Sequence, residues 1–190
     1  MNRTPHLCDE LARYQPVDSD DRRHLTAMLD LVATRPDSAV GPDVFARDSY
    51  APGHFTASAF VLSPGEDALL LILHAKLDLW LQPGGHVDPD DADLVAAARR
   101  EASEEAGLAD LSLVTRGIFD VDVHSIPARH DAPEHRHFDV RYLFRASSLR
   151  VAAASDAKAA RWVALADLES VQSDASVMRA VRRIRATIAR

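Results

Sequence analysis

Apolar and polar positions along the chain follow two different periods. Leu25, Met28, Leu29 and Val32 fall at i, i+3, i+4 and i+7, one face of a helix that Ser19 can cap and that Thr34-Arg35-Pro36-Asp37 stops. Residues 1–17 carry no clear period and read as an irregular arm. The pattern then turns to strands. Residues 54–62 are apolar and small, Ser63-Pro64-Gly65-Glu66 forms a turn, and residues 68–74 make a second, buried strand. Residues 76–82 lead into a glycine loop, and Trp80 among them reads as core or pocket wall. Further strands are expected over 111–122 and 137–146, the second with Phe138, Val140, Tyr142 and Phe144 in strict alternation and so on one face. Helical structure begins over 166–171, and Val177, Val181, Ile184 and Ile188 mark a final helix. Its opposite side holds Arg179, Arg182, Arg183 and Arg190, a solvated face or a surface for an acidic partner. Strands flanking a central helix, with another helix at the end, imply an α/β or α+β layered fold.

The central helix carries the chemistry. Gly84-Gly85-His86-Val87-Asp88-Pro89-Asp90-Asp91 reads as a loop, in which the glycines let the backbone turn tightly and approach a ligand. Asp90 or Asp91 can cap the helix that follows, and Gly107 ends it. Leu94, Ala98, Ala102 and Ala106 repeat every four residues, a narrow stripe on which the helix can lie close to a sheet. On the polar side Glu101, Glu104 and Glu105 stand at i, i+3 and i+4, so their carboxylates crowd one face. Alone, such a group repels itself and should raise the pKa of at least one member. A cation would relieve it, and Mg2+ or Mn2+ suits best, because acids on one helix supply part of an octahedral shell and leave positions for water and phosphate oxygens. The bland alternative is a solvated face with Arg99 and Arg100 as ion-pair partners.

This stretch resembles the Nudix box, G-x5-E-x7-R-E-U-x-E-E-x-G-U with U apolar. Residues 100–108, Arg-Glu-Ala-Ser-Glu-Glu-Ala-Gly-Leu, match its second half fully. The first half departs twice, with Asp91 in place of the first Glu when Gly85 is the first Gly, and eight residues instead of seven before Arg100. In the family that Glu supports the Arg, so the departure bears on this buttress more than on the metal site. The resemblance covers about residues 56–171. It implies the Nudix fold, a mixed sheet sandwiched between helices, here with an N-terminal helical extension: an arm and helix over residues 1–50, and a Nudix hydrolase domain over 51–190. It implies hydrolysis of a diphosphate linkage in a nucleoside diphosphate derivative. Glu104 and Glu105 would be principal metal ligands, Glu101 a ligand or the base, a carbonyl of the Gly84-Gly85 loop, assigned to Gly85, a further ligand, and Arg100 would orient a glutamate. Arg161-Trp162-Val163 resembles the family's late short strand, and Asp156, six residues before Trp162, is a candidate for an acid that many members take from outside the box.

Bulk properties narrow the partners. With 190 residues, 47% of them hydrophobic, one core is the default. A net charge of −7 and a pI near 5.7 argue against a duplex nucleic-acid binder, so a polyphosphate must be neutralised locally, by metal and a few arginines. The only cysteine, Cys8, precludes an internal disulfide and suits a reducing cytoplasm. The longest apolar run, residues 68–73, is far too short to span a bilayer. The first helix reads as packed on the domain, with a homodimer contact or a substrate lid as the other roles open to it.

A second polar cluster runs from His124 through Arg129 and His135 to Asp139. Phosphate or base recognition, loop polarity and a transition-metal site are its three readings. His135 and His137 share one side of a strand, but no third ligand stands at a defensible spacing. The segment is therefore expected to select the substrate, with His86, Arg129, His135, His137 and Tyr142 as contacts. Two rivals to the hydrolase remain in view. A diphosphate isomerase on the same fold would need a cysteine within the domain, where there is none beyond Cys8. A non-catalytic nucleotide-binding module would have no need of three intact acids.

Overall fold

The structure, a computed structural model, describes residues 3–34, 43–155 and 157–189. It is an α/β fold, a mixed sheet with four α-helices among the described residues. The chain packs as two compact units, Met1–Ala57 with Gly85–Ala97 and Arg116–Tyr142, and Ser58–Gly84 with Ala98–Thr115 and Leu143–Arg190.

In the first unit, helix α1 (Arg3–Arg13) occupies the stretch read as an irregular arm. Its signal is sparse: only Thr4, Leu7 and Leu11 face inward, a stripe too short to register as a period. The turn out of α1 is fixed by polar groups. Tyr14 donates its hydroxyl to the buried Asp21 carboxylate at 2.6 Å, and the same carboxylate accepts from the Val17 amide at 2.8 Å. Helix α2 (Ser19–Thr34) buries Met28, Leu31 and Val32, whereas Leu29 is 40% exposed, so the buried face is centred away from the expected Leu25–Leu29 edge.

Strands β1 (Gly53–Leu62) and β7 (His135–Ala146) run through both units. The strands follow the order β3-β2-β1-β7-β5, where β2 is Ala68–His74, β3 Trp80–Leu81 and β5 Leu111–Leu113. Strand β4 (Gly84–His86) pairs with β1, β6 (Asp120–Ile126) with β7, and β8 (Ala157–Ala164) with β2. The single strand expected over 111–122 is thus two. Gly117, at φ 76°, bends the chain between them, so that Leu113 sits opposite Phe144 and Val123 opposite Phe138.

The second unit holds most of helix α3 (Leu94–Ala106), a 3-10 turn (Leu168–Ser170) and helix α4 (Ala175–Ile188). The alanine stripe is fully buried at Ala98, Ala102 and Ala106, as are Val177, Val181 and Ile184 of α4. Gly107, at φ 69°, ends α3 with its amide on the Ser103 carbonyl at 2.9 Å and the Leu108 amide on the Ala102 carbonyl at 3.4 Å. Trp80 is half-buried, with the Arg161 guanidinium 4.0 Å from its ring centroid. Of the arginines expected along α4, Arg182 is exposed and Arg179 and Arg183 half-buried, while Arg190 lies outside the described residues.

Candidate active site and a histidine cluster

The loop before α3 needs glycine for close approach. A Cβ on Gly84 would stand 2.9 Å from Ser58 Cα, and the neighbouring Pro83 carbonyl accepts from the Ala59 amide at 2.9 Å, so the loop is laid flat on β1. From there the Gly84 amide donates to Glu105 Oε2 at 3.0 Å. Glu105 is only 5% exposed, a buried carboxylate that this amide helps to satisfy. One turn earlier, Arg100 Nη1 donates to Glu101 Oε1 at 2.9 Å and to Glu104 Oε2 at 3.0 Å. The crowding of acids on this face is thus relieved in part by a cation from the same helix. Exposure grades across the acids, with the Glu101 side chain 13% and the Glu104 side chain 49% exposed.

Neither aspartate proposed as the cap of α3 is the one that bonds its first turn. Asp93 Oδ1 accepts from the Ala96 amide at 2.7 Å, and Asp91 Oδ2 instead closes the loop by accepting from the Asp88 amide at 2.8 Å. Gly85 is half-buried in the middle of β4. Asp156 lies outside the described residues.

The residues expected to contact substrate are scattered in character. Arg129 is exposed, in an isolated bridge with Ala132. Tyr142 is fully buried and donates its hydroxyl to Glu10 at 2.9 Å, a place in the first unit's core. His86, His135 and His137 do come together, and with them two further histidines. The His137 ring centroid lies 4.9 Å from that of His54 and 5.3 Å from those of His86 and His135, in tilted or edge-on contacts, and His124 sits opposite it on β6 at 5.6 Å. His54, on β1, is completely buried. Burial, reinforced by neighbouring imidazoles, lowers the His137 pKa to about 2 and the His86 pKa to about 4, and burial lowers that of His54. His137 and His86 are therefore neutral at physiological pH.

Sequence reasoning also missed a buried charge cluster. Arg141, 2% exposed, donates Nε to Asp139 at 2.7 Å and Nη1 to Asp120 at 3.2 Å, with Asp122 3.3 Å from Nη2. Three buried carboxylates hold its pKa above the usual arginine range. Asp139 also accepts from the Thr56 hydroxyl at 3.1 Å, and Asp122 bonds His124 Nδ1 at 3.0 Å. The alternation of Asp120-Asp122 and Asp139-Arg141 on paired strands was the available signal.

A mixed sheet with a glycine loop clasping the last acid of an E-x-x-E-E helix defines the Nudix fold class. Comparison with known proteins bears this out: the NUDIX domain family model matches residues 52–181, and the chain belongs to that family. It is accordingly a Nudix-type pyrophosphohydrolase, an enzyme of the nucleotide pyrophosphohydrolase kind. Among solved structures, an Ap4A hydrolase binary complex from C. elegans is 20% identical at a TM-score of 0.57, covering 71% of this chain and 97% of its own. A NUDIX-family hydrolase from Clostridium perfringens is 26% identical at 0.53, covering 70% and 96%. The NUDIX domain of Shewanella oneidensis NrtR, complexed with ADP ribose, is 15% identical at 0.55, covering 84% and 97%. No curated protein sequence matches the chain. No helix among the described residues is long and apolar enough to cross a membrane.

Proposed function

We propose that the chain hydrolyses a diphosphate linkage in a nucleoside diphosphate derivative, using Mg2+ or Mn2+ held by Glu101, Glu104, Glu105 and the Gly85 carbonyl. The observation that carries this reading is Glu105, a carboxylate kept buried on a face shared with two other acids and tied to the glycine loop through the Gly84 amide. The donor set fits a hard divalent cation, since every group is an oxygen and one helix supplies only part of an octahedral shell. Such an ion, when bound, polarises phosphoryl oxygens and acidifies water.

The protein's own contributions follow from the geometry. Gly84 holds Glu105 in place. Arg100 fixes the spacing of Glu101 and Glu104 as a positioning residue. Glu101, its side chain 13% exposed beside that guanidinium, would serve as a ligand or take the proton from water, and Asp156 is the candidate acid from outside the box. The single cysteine favours a reducing, cytoplasmic setting.

The test is a panel of nucleoside triphosphates, nucleotide sugars, dinucleoside polyphosphates and ADP-ribose, with and without Mg2+, and with products identified. Cleavage between two phosphorus centres that stops in EDTA is expected. Hydrolysis unaffected by EDTA, or no cleavage of any diphosphate on the panel, would sink the proposal.

A further inference from the structure

Histidines from separate strands meet in the first unit with their ring nitrogens turned toward one another. Ligand nitrogens of His54, His135 and His137 lie within 4.8 Å of one another. His135 and His137 stand two apart on β7 and so share a face, and His54 is brought in by β1, the neighbour of β7 in the sheet order.

Hydrogen bonding fixes which nitrogen donates on two of the rings. His54 Nδ1 lies 3.4 Å from the Ser49 carbonyl and His135 Nδ1 lies 2.8 Å from the Pro133 carbonyl. A carbonyl only accepts, so each Nδ1 carries the proton and each Nε2 keeps its lone pair. This is how metal-ligating imidazoles are usually oriented, by an N–H to a backbone carbonyl on the far side of the ring. His54 Nε2 is buried with no hydrogen-bond partner among the described residues. An unpaired buried acceptor costs free energy, and a cation satisfies it.

Substrate recognition explains this arrangement poorly. A phosphate needs donors or positive charge, whereas the second ring nitrogens of His54 and His135, with each Nδ1 bonded to a carbonyl, offer acceptors. Hard Mg2+ is also poorly matched, because it prefers oxygen ligands. Around the cluster, the field of Arg47 opposes a cation while Asp48 and Asp88 favour one.

We propose that His54, His135 and His137 form a binding site for a divalent first-row transition metal of the Zn2+ type, built without any acid of the glutamate helix. Zinc–nitrogen bonds of about 2.0–2.1 Å set tetrahedral ligand edges near 3.3 Å, so small side-chain rotations close the present 4.8 Å limit. Three imidazoles leave a tetrahedral ion one open position, for water or an oxyanion, with the ring of His86 alongside.

The experiment uses full-length, tag-free protein in excess Mg2+, stripped of transition metal and then titrated with Zn2+ and with Co2+. One equivalent of tightly held Zn2+ per chain is expected, with the strong visible bands of tetrahedral, nitrogen-ligated Co2+. His54→Gln and His137→Gln should each weaken Zn2+ binding by at least about 100-fold, more than is typical for losing an outer partner of a ligand. Glu105→Gln should leave the Zn2+ stoichiometry unchanged. Folded wild-type protein that retains no Zn2+, or that gives only the weak bands of octahedral oxygen-ligated Co2+, overturns the site without recourse to any variant. So does Zn2+ that survives both histidine substitutions and is lost in Glu105→Gln.

Discussion

Glu10 shows how a single buried group sets a pH dependence. Its side chain is 9% exposed, and burial raises its pKa, against the opposing hydrogen bond from Tyr142 and the charge of His6. A carboxyl with a folded pKa above its unfolded value contributes stability that is present below the ordinary value of 4.5 and lost as pH rises through the folded one. Gln can still accept from the Tyr142 hydroxyl without carrying charge. Glu10→Gln is therefore expected to gain in melting temperature relative to wild type as pH rises from below 4.5 to neutral. A difference that stays flat, or shrinks, across that range would contradict the assignment. Arg141 makes the reverse case. Arg141→Met strips the cation from three buried aspartates, and removing one partner of a buried ion network costs about 3–5 kcal/mol. A fall in Tm on the order of 10 °C is expected, and denaturation showing less than about 1 kcal/mol of loss would mean that the carboxylates are compensated from elsewhere.

At the scale of elements, the loop and α3 act together because a backbone amide of one bonds a side chain of the other. Gly84→Ala tests this without touching an acid. The added methyl meets the Ser58 backbone, so the loop must lift and the bond to Glu105 must lengthen. Losing an organising contact of this kind should lower kcat by about 10-fold or more, with a smaller effect on KM. Wild-type kcat in a folded Gly84→Ala protein would show that the loop's position is unimportant to turnover. This element was also the most legible in the sequence, since its acids, its alanine stripe and its terminal glycine all lie on one short helix with local spacing. Local reading failed where the deciding contact was remote. The cap passed to Asp93 because the loop consumed Asp91 in its own hydrogen bond. Helix α1 went unread because its three inward positions make too short a stripe, and β5 and β6 were merged because Gly117 alone marks the bend.

For the whole molecule, strand order decides what spacing cannot. His135 and His137 advertise themselves at i and i+2, but His54 precedes them by about eighty residues and becomes their neighbour only because β1 lies beside β7 in the sheet order. Asp120 with Asp122 and Asp139 with Arg141 likewise show only as two alternating pairs in the sequence, and become one cluster through the pairing of β6 with β7. The glutamate helix needed no such long-range information, so the enzyme class was readable from the sequence while the histidine site was not.

The central claim is that the helix acids, with a divalent cation, carry out the hydrolysis, and Glu105 is its most direct probe. Turnover of the best panel substrate should be measured for wild type and Glu105→Gln across a Mg2+ titration, alongside their thermal melts. The account predicts half-maximal activity in the millimolar range of Mg2+ for wild type, on the order expected of a water-retaining carboxylate site. For Glu105→Gln it predicts at least about a 100-fold loss of kcat, roughly 3 kcal/mol of barrier, with the fold retained. A folded Glu105→Gln protein with wild-type turnover would contradict it.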